Sequence, residues 1–311
     1  MNTKDFLSVS DVSPEGLRRL ISNAIAMKAD RWSSILSGKI LVLVFEKPSN
    51  RTRVSFDAGM RQLGGHCIYL SPEEVGLGKR ESARDVALVL SRYANAITAR
   101  TFAHETVATL AEYADIPVIN ALSDLEHPCQ ALADIMTIAE YREELRGLTV
   151  AHVGDGHNTA HSLMLACAMS GINYRIASPP GYRVQEAVLN KAQDFAAESG
   201  AEIVCTEDPQ EAVLNADVLY TDVWTSMGQE EEAEKRRRIF APYQVNDTLL
   251  SLASDDVLLM HPLPAHHGEE VAEDIIYGPQ SVVFDQAENR LHAQKALLVE
   301  KLGGLEITFP D

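Results

Sequence analysis

The chain has 311 residues, enough for two packed units of about 150 residues each. Its 46% hydrophobic and 23% charged content is that of a compact globular protein and excludes a disordered, fibrous or low-complexity chain. Twenty-seven Lys and Arg against 45 Asp and Glu leave a net charge of −18, which argues against nucleic acid and anionic membranes as partners unless the cations are concentrated at one site.

The opening stretch from Met1 to Ser8 shows no basic and then apolar leader, and no apolar run approaches the roughly 18 residues that span a bilayer. A cytoplasmic location is therefore expected. Ser13-Pro14 followed by Leu17, Leu20, Ile21, Ala24 and Ile25 predicts a capped helix with proline at its first position. Residues 40–45 form a continuous apolar run of the kind buried on both faces of a parallel sheet, and a helix-compatible stretch follows from about 53 to 63. Strands at 67–70, 97–100 and 117–120 alternate with helices at about 82–93, 104–114 and 128–145. After Arg146-Gly147 the rhythm restarts, with strands at 149–153, 174–177, 202–206, 218–221 and 257–260.

This alternation predicts an α/β fold of two domains, each a parallel sheet flanked by helices. The boundary is placed near residue 140, giving domains 1–140 and 141–311; the last helix, about 288–302, is able to pack on either unit, including back on the first. Cys67, Cys129, Cys167 and Cys205 form no CxxC pair and predict reduced thiols rather than a disulfide framework or zinc ribbon, with Cys167 and Cys205 in apolar runs typical of core.

In open α/β sheets, ligands bind beyond the carboxyl ends of the strands, so the residues after each strand are the candidates for chemistry. Phe45-Glu46-Lys47-Pro48-Ser49-Asn50-Arg51-Thr52-Arg53 places hydroxyls, an amide and two guanidinium groups where a strand meets a helix N-terminus. Free backbone N–H groups and paired arginines there make an anion cradle, while the plainer reading is a solvated helix start capped by Ser49 or Asn50. Arg100 ends a strand, and His127-Pro128-Cys129-Gln130 opens a helix after another; each alone also fits a surface ion pair or a packing residue.

Gly154-Asp155-Gly156-His157-Asn158-Thr159-Ala160 superficially matches the dinucleotide fingerprint, yet the next strand ends without the acidic residue that holds a ribose hydroxyl. A tight turn presenting Asn158 fits as well. His157 and His161 stand four apart as metal ligands would, without the Glu of H-E-x-x-H. The loop from Asp222 to Gln229 offers a carboxylate and a hydroxyl to a cationic or zwitterionic ligand, and the charged run 230–238 beyond it reads as a solvated helix face. His261-Pro262-Leu263-Pro264 reads as a rigid loop, and Arg290, expected in the first turn of the last helix, opposes the helix dipole and so is a candidate for a ligand.

Taken in this order, the segments resemble the aspartate/ornithine carbamoyltransferase family, most closely its ornithine branch, from about Leu41 to Lys301. The family's S-x-R-T-R stands at Ser49 to Arg53, its H-P-x-Q at His127 to Gln130, and its ornithine-type D-x-x-x-S-M-G at Asp222 to Gly228. The resemblance implies transfer of a carbamoyl group from carbamoyl phosphate to the side-chain amine of L-ornithine. By it, Ser49, Asn50, Arg51, Thr52 and Arg53 hold the phosphate, with Arg100, His127, Gln130, Pro262, Leu263 and Arg290 around the carbamoyl group. Arg51, Arg100, His127 and Arg290 are the implied catalytic residues, and Asn158, Asp222, Ser226 and Met227 hold the amino-acid acceptor. It further implies no metal or redox cofactor, and a homotrimer or a multiple of trimers.

The chain departs from the family pattern in places. His261-Pro262-Leu263-Pro264 stands where ornithine enzymes have H-C-L-P, so a cysteine near the attacking amine is missing; Asn50 and His157 replace a Thr and an Asn, and Val75-Gly76-Leu77-Gly78 lacks the side chain that reaches a neighbouring subunit's site. Pro262 keeps aspartate, putrescine or an N-acetylornithine open as acceptor. Asp222 argues against aspartate, because it would face a second carboxylate. Outside this class stand an NAD-dependent dehydrogenase and a non-catalytic anion-binding module.

Overall fold

The computed structural model describes residues 4–226, 228 and 230–303, with the backbone alone at 230. Of these, residues up to Met136 and from Glu288 onward make one unit, and Thr137–Ala287 make the other. The division falls inside two helices, Pro128–Tyr141 and Val283–Leu302. No helix among the described residues is long and apolar enough to cross a membrane.

The first unit opens with α1 (Pro14–Ala29), where Ser13 accepts from the Gly16 N–H and Leu17, Leu20, Ile21 and Ala24 are buried, as the cap and the apolar stripe predict. Then follow β1 (Ile40–Phe45), α2 (Asn50–Gln62), β2 (His66–Leu70), α3 (Pro72–Val75), α4 (Ala83–Leu90), β3 (Ala96–Arg100), α5 (His104–Tyr113), β4 (Val118–Leu122) and α6 (Pro128–Tyr141). The four strands are parallel in the order β2-β1-β3-β4. The order in which strands are added therefore reverses between β1 and β3, whose exits flank the crevice where such sheets bind ligands. The run at 40–45 is almost wholly buried, and Val42 and Val44 pack with Ile97, Ala99, Val107 and Leu110. Pairing of β3 with β4 shifts register between Ala99 and Arg100, a bulge that re-aims the strand end.

The second unit carries β5 (Thr149–Val153), α7 (Asn158–Ser170), β6 (Asn173–Ala177), α8 (Glu186–Ser199), β7 (Ile203–Thr206), α9 (Pro209–Val213) and β8 (Val218–Tyr220). It continues with α10 (Ala233–Phe240), α11 (Asp247–Leu250), β9 (Leu258–Met260), α12 (Glu273–Ile276) and the start of α13 (Val283–Leu302). Its five parallel strands run β7-β6-β5-β8-β9, with the reversal between β5 and β8. One face buries Ala151, Val153, Leu219 and Leu259 beneath the helices.

From Glu288 onward α13 belongs to the first unit, so the last helix does return to it. Lys295 Nζ donates to Met27 O, Arg31 O and Gln62 Oε1 at 3.2, 2.7 and 3.1 Å, placing a cation at the carboxyl end of α1. Gly59 of α2 lets α13 come close: a Cβ there would stand 3.3 Å from Lys295 Cγ.

Three expectations are corrected. The last helix begins at Val283 rather than near 288, so Arg290 lies in its interior and the dipole argument for it does not apply. The helix after β1 begins at Asn50 because Ser49 caps it, accepting from the Thr52 N–H. Cys205 is exposed rather than core, because β7 is an edge strand; Cys167 is buried as expected.

Candidate active site

In the first unit the crevice between β1 and β3 is bordered by Ser49, Asn50, Arg51 and Thr52 at the start of α2, and by Arg100 at the end of β3. Thr52 is buried, and Arg100 is only 8% exposed, with Nε lacking a hydrogen-bond partner among the described residues. His127, 6% exposed, stands immediately before α6, and Arg290, 3% exposed, comes from α13. Burial, then the charges of Arg290 and Arg51, push Arg100 down to about 9. Burial, then Arg290, Arg100, Lys47 and Arg51 in that order, hold His127 well below the usual imidazole range. The structure thus gathers four cations around a neutral imidazole, an arrangement whose mutual repulsion a bound dianion relieves.

Gln130 joins this cluster. Its Oε1 accepts from Arg290 Nη1 at 2.6 Å, and its Nε2 donates to Asp134 Oδ1 at 2.8 Å. Arg53 is placed differently: it is exposed, with its guanidinium 3.9 Å from the centroid of the Tyr69 ring, and it is not among the cations acting on Arg100 or His127.

In the second unit Asp222 follows β8, and its carboxylate accepts from the Val223 N–H at 2.8 Å and from the Thr159 hydroxyl. Burial pushes its pKa up; His261, Thr159 and Val223 oppose that, and Glu270 adds to it. Asn158 is the first residue of α7, buried, with Oδ1 accepting from the Thr159 N–H at 2.8 Å. Asn158 and Asp222 therefore stand at the exits of β5 and β8, the two strands that flank the reversal of the second sheet. Ser226 is part-buried beyond Asp222, and Met227 lies outside the described residues.

The glycines after β5 have a structural reason of their own. Gly156 N–H donates to Tyr182 O at 2.8 Å, and a Cβ at Gly156 would stand 2.4 Å from Val184 N, so the turn must lack a side chain where two loops meet. His157 precedes α7 as its cap residue instead of sharing a helix face with His161, whose Nε2 accepts from the Gln185 N–H at 3.1 Å. That arrangement does not make the two a metal pair. In the 261–264 loop, His261 Nδ1 accepts from the Leu263 N–H at 2.9 Å and Nε2 meets Glu270 Oε1 at 3.2 Å. Leu263 is held in the left-handed region at φ 57°.

Reasoning from sequence missed several of these groups. Lys47, inside the candidate segment but given no role there, is buried as one of the four cations, and Asp134 is buried against Gln130. Arg236, inside the run read as a solvated face, is buried, pairs with Asp155 and donates through Nε to Trp224 O.

Residues 4–140 match the family model of the aspartate/ornithine carbamoyltransferase carbamoyl-P binding domain, and residues 146–300 match that of the Asp/Orn binding domain. The chain belongs to the aspartate/ornithine carbamoyltransferase family. Among carbamoyltransferases it is 54% identical over 304 residues to the ornithine carbamoyltransferase of Anoxybacillus flavithermus, covering 96% of each chain. It is 50% identical over 312 residues to that of Pyrococcus abyssi, covering 98% of each. The solved ornithine carbamoyltransferase of Pyrococcus furiosus superposes with a TM-score of 0.94 at 50% identity, over 97% of this chain and 98% of that one. The two parallel sheets and the returning last helix are thus those of carbamoyltransferases.

Proposed function

We propose that this chain is an ornithine carbamoyltransferase, moving the carbamoyl group of carbamoyl phosphate to the side-chain amine of L-ornithine to give L-citrulline and phosphate. The observation that carries the reading is the cluster of buried Arg100, Arg290 and Lys47 with half-buried Arg51 around neutral His127, beside the reversal of strand order in the first sheet. A body of net charge −18 repels a dianion as a whole, so the gathered cations of this cluster are what draw the substrate phosphate in.

In this reading Ser49, Asn50, Arg51, Thr52 and the N–H groups of the α2 start bind the phosphate. Arg53, turned onto Tyr69, contributes charge at the edge rather than a direct contact. Arg100, Thr52 and an N–H of neutral His127 stabilise the oxyanion that forms as the amine adds to the carbamoyl carbon. Collapse of the tetrahedral intermediate expels phosphate with the electron pair of the broken C–O bond, Arg51 neutralising its charge, and the departing phosphate takes up the proton that the former amine gives up. Asp222 is the counter-charge for the acceptor's α-ammonium, with Asn158, Ser226 and Met227 completing the amino-acid site.

Asp222 favours a diamino acid over aspartate, and the relatives bearing the ornithine name support the same acceptor. A trimer or multiple of trimers and a cytoplasmic location complete the reading. Release of inorganic phosphate from carbamoyl phosphate tests it: release that requires L-ornithine supports the assignment, and release independent of any amine contradicts it.

A further inference from the structure

Asp134 is fully buried on α6, one turn beyond Gln130, and takes no part in the chemistry described above. Its carboxylate accepts from Gln130 Nε2 at 2.8 Å, while Gln130 Oε1 accepts from Arg290 Nη1 at 2.6 Å. A guanidinium only donates and an ionised carboxylate only accepts, so the two neighbours together leave the amide one orientation. Its NH2 is turned to Asp134 and its carbonyl oxygen to the cations. An acceptor among cations is poorly suited to phosphate oxygens, and its second lone pair suits an N–H donor.

We propose that Asp134 is a positioning residue for donor selection, holding the Gln130 amide so that its oxygen receives the NH2 of carbamoyl phosphate and disfavours acyl phosphates that carry a methyl group there. The inference rests on the carbamoyl-transfer reading and names a determinant of specificity within it. Asp134 touches no reacting atom; it acts through Gln130. Without it, the amide turns more easily, and a flipped amide presents NH2 to NH2.

The test measures affinity for carbamoyl phosphate beside that for acetyl phosphate, a competitive ligand of similar charge and shape that lacks the amide NH2. Asp134→Ala is expected to weaken carbamoyl phosphate about tenfold, the size of one buried hydrogen bond, and to leave acetyl phosphate within about twofold. Asp134→Asn, whose oxygen still accepts from Gln130, stays within about threefold of the parent for both. If Asp134→Ala does not fold, an exchange of roles decides. Gln130→Glu faces two carboxylates against each other and weakens carbamoyl phosphate by more than about tenfold, and adding Asp134→Asn restores a donor–acceptor pair and most of the affinity.

An unchanged ratio of the two affinities in folded Asp134→Ala, whether both are lost equally or neither is lost, or failure of the double variant to recover, overturns the proposal. A parent protein that binds carbamoyl phosphate and makes no ureido product contradicts the transfer reading instead, and the binding comparison still decides the role of Asp134.

Discussion

Arg290 donates to Gln130 Oε1 at 2.6 Å although 160 residues separate them in the chain. The contact explains why the last helix must return to the first unit: it delivers a third arginine to Arg51 and Arg100, from an interior position of α13 where the helix itself fixes its direction. Replacing Arg290 with Gln removes a charge that acts on both Arg100 and His127. Turnover is expected to fall about 10²-fold to 10³-fold, as for loss of one oxyanion donor, with weaker carbamoyl phosphate binding. Steady-state kinetics with carbamoyl phosphate varied at saturating ornithine checks this.

Asp222→Asn separates the two substrates. The carboxylate is held by Thr159 and the Val223 N–H, so the amide keeps the shape of the loop and loses the charge proposed to face the acceptor's ammonium. The Michaelis constant for ornithine should rise at least about tenfold, the loss of a charged hydrogen bond, with that for carbamoyl phosphate little changed. Equal loss for both substrates removes Asp222 from the acceptor site.

Arg236 ties the 222–228 loop to the turn after β5, since it pairs with Asp155, donates to Trp224 O and lies over the Tyr182 and Phe240 rings. Arg236→Leu leaves Asp155 buried and unpaired, a change that typically costs about 3–5 kcal/mol. Thermal denaturation should show a clear loss of stability. In protein that remains folded, the ornithine constant should rise more than that for carbamoyl phosphate.

His152 sits in the middle of β5, fully buried and stacked on Tyr220 at 5.4 Å, with neither ring nitrogen hydrogen-bonded among the described residues. Burial, with His261 and His161 adding to it, lowers its pKa to about 3. An unfolded histidine takes its proton near pH 6.5, so the unfolded chain binds one proton more between about pH 6.5 and 3, and stability falls as pH falls through that window. At pH 5 the group alone should lower stability by about 2 kcal/mol relative to pH 7. His152→Phe should flatten that acid dependence in denaturation curves at the two pH values; an identical slope in parent and variant contradicts the assignment.

Where the sequence was legible, a local signal and its physical cause coincided. Ser13-Pro14 capped α1, the unbroken run at 40–45 became a strand buried on both faces, and Ser49 to Thr52, Arg100, Asn158 and Asp222 fell at the exits of the strands where the order of each sheet reverses. What escaped depended on distant partners. The start of α13 lies in Ser281-Val282-Val283-Phe284, a β-branched apolar stretch with no polar cap to mark a helix. Cys205 follows an apolar pattern that says nothing of its strand lying at an edge. Arg236 was hidden in a run of charges because its partners, Asp155, Trp224 and Tyr182, come from three other loops. Asp134 alone had a local signal, the Gln-to-Asp spacing of four on a helix, which is the geometry of a side-chain hydrogen bond.

Colorimetric detection of ureido product is the most direct test of the central claim, with the protein given carbamoyl phosphate and, separately, L-ornithine, aspartate, putrescine and N-acetylornithine. The account predicts product with L-ornithine and none above background with the other three. Product with one of the others in place of ornithine, or with none of the four despite binding of carbamoyl phosphate, contradicts it.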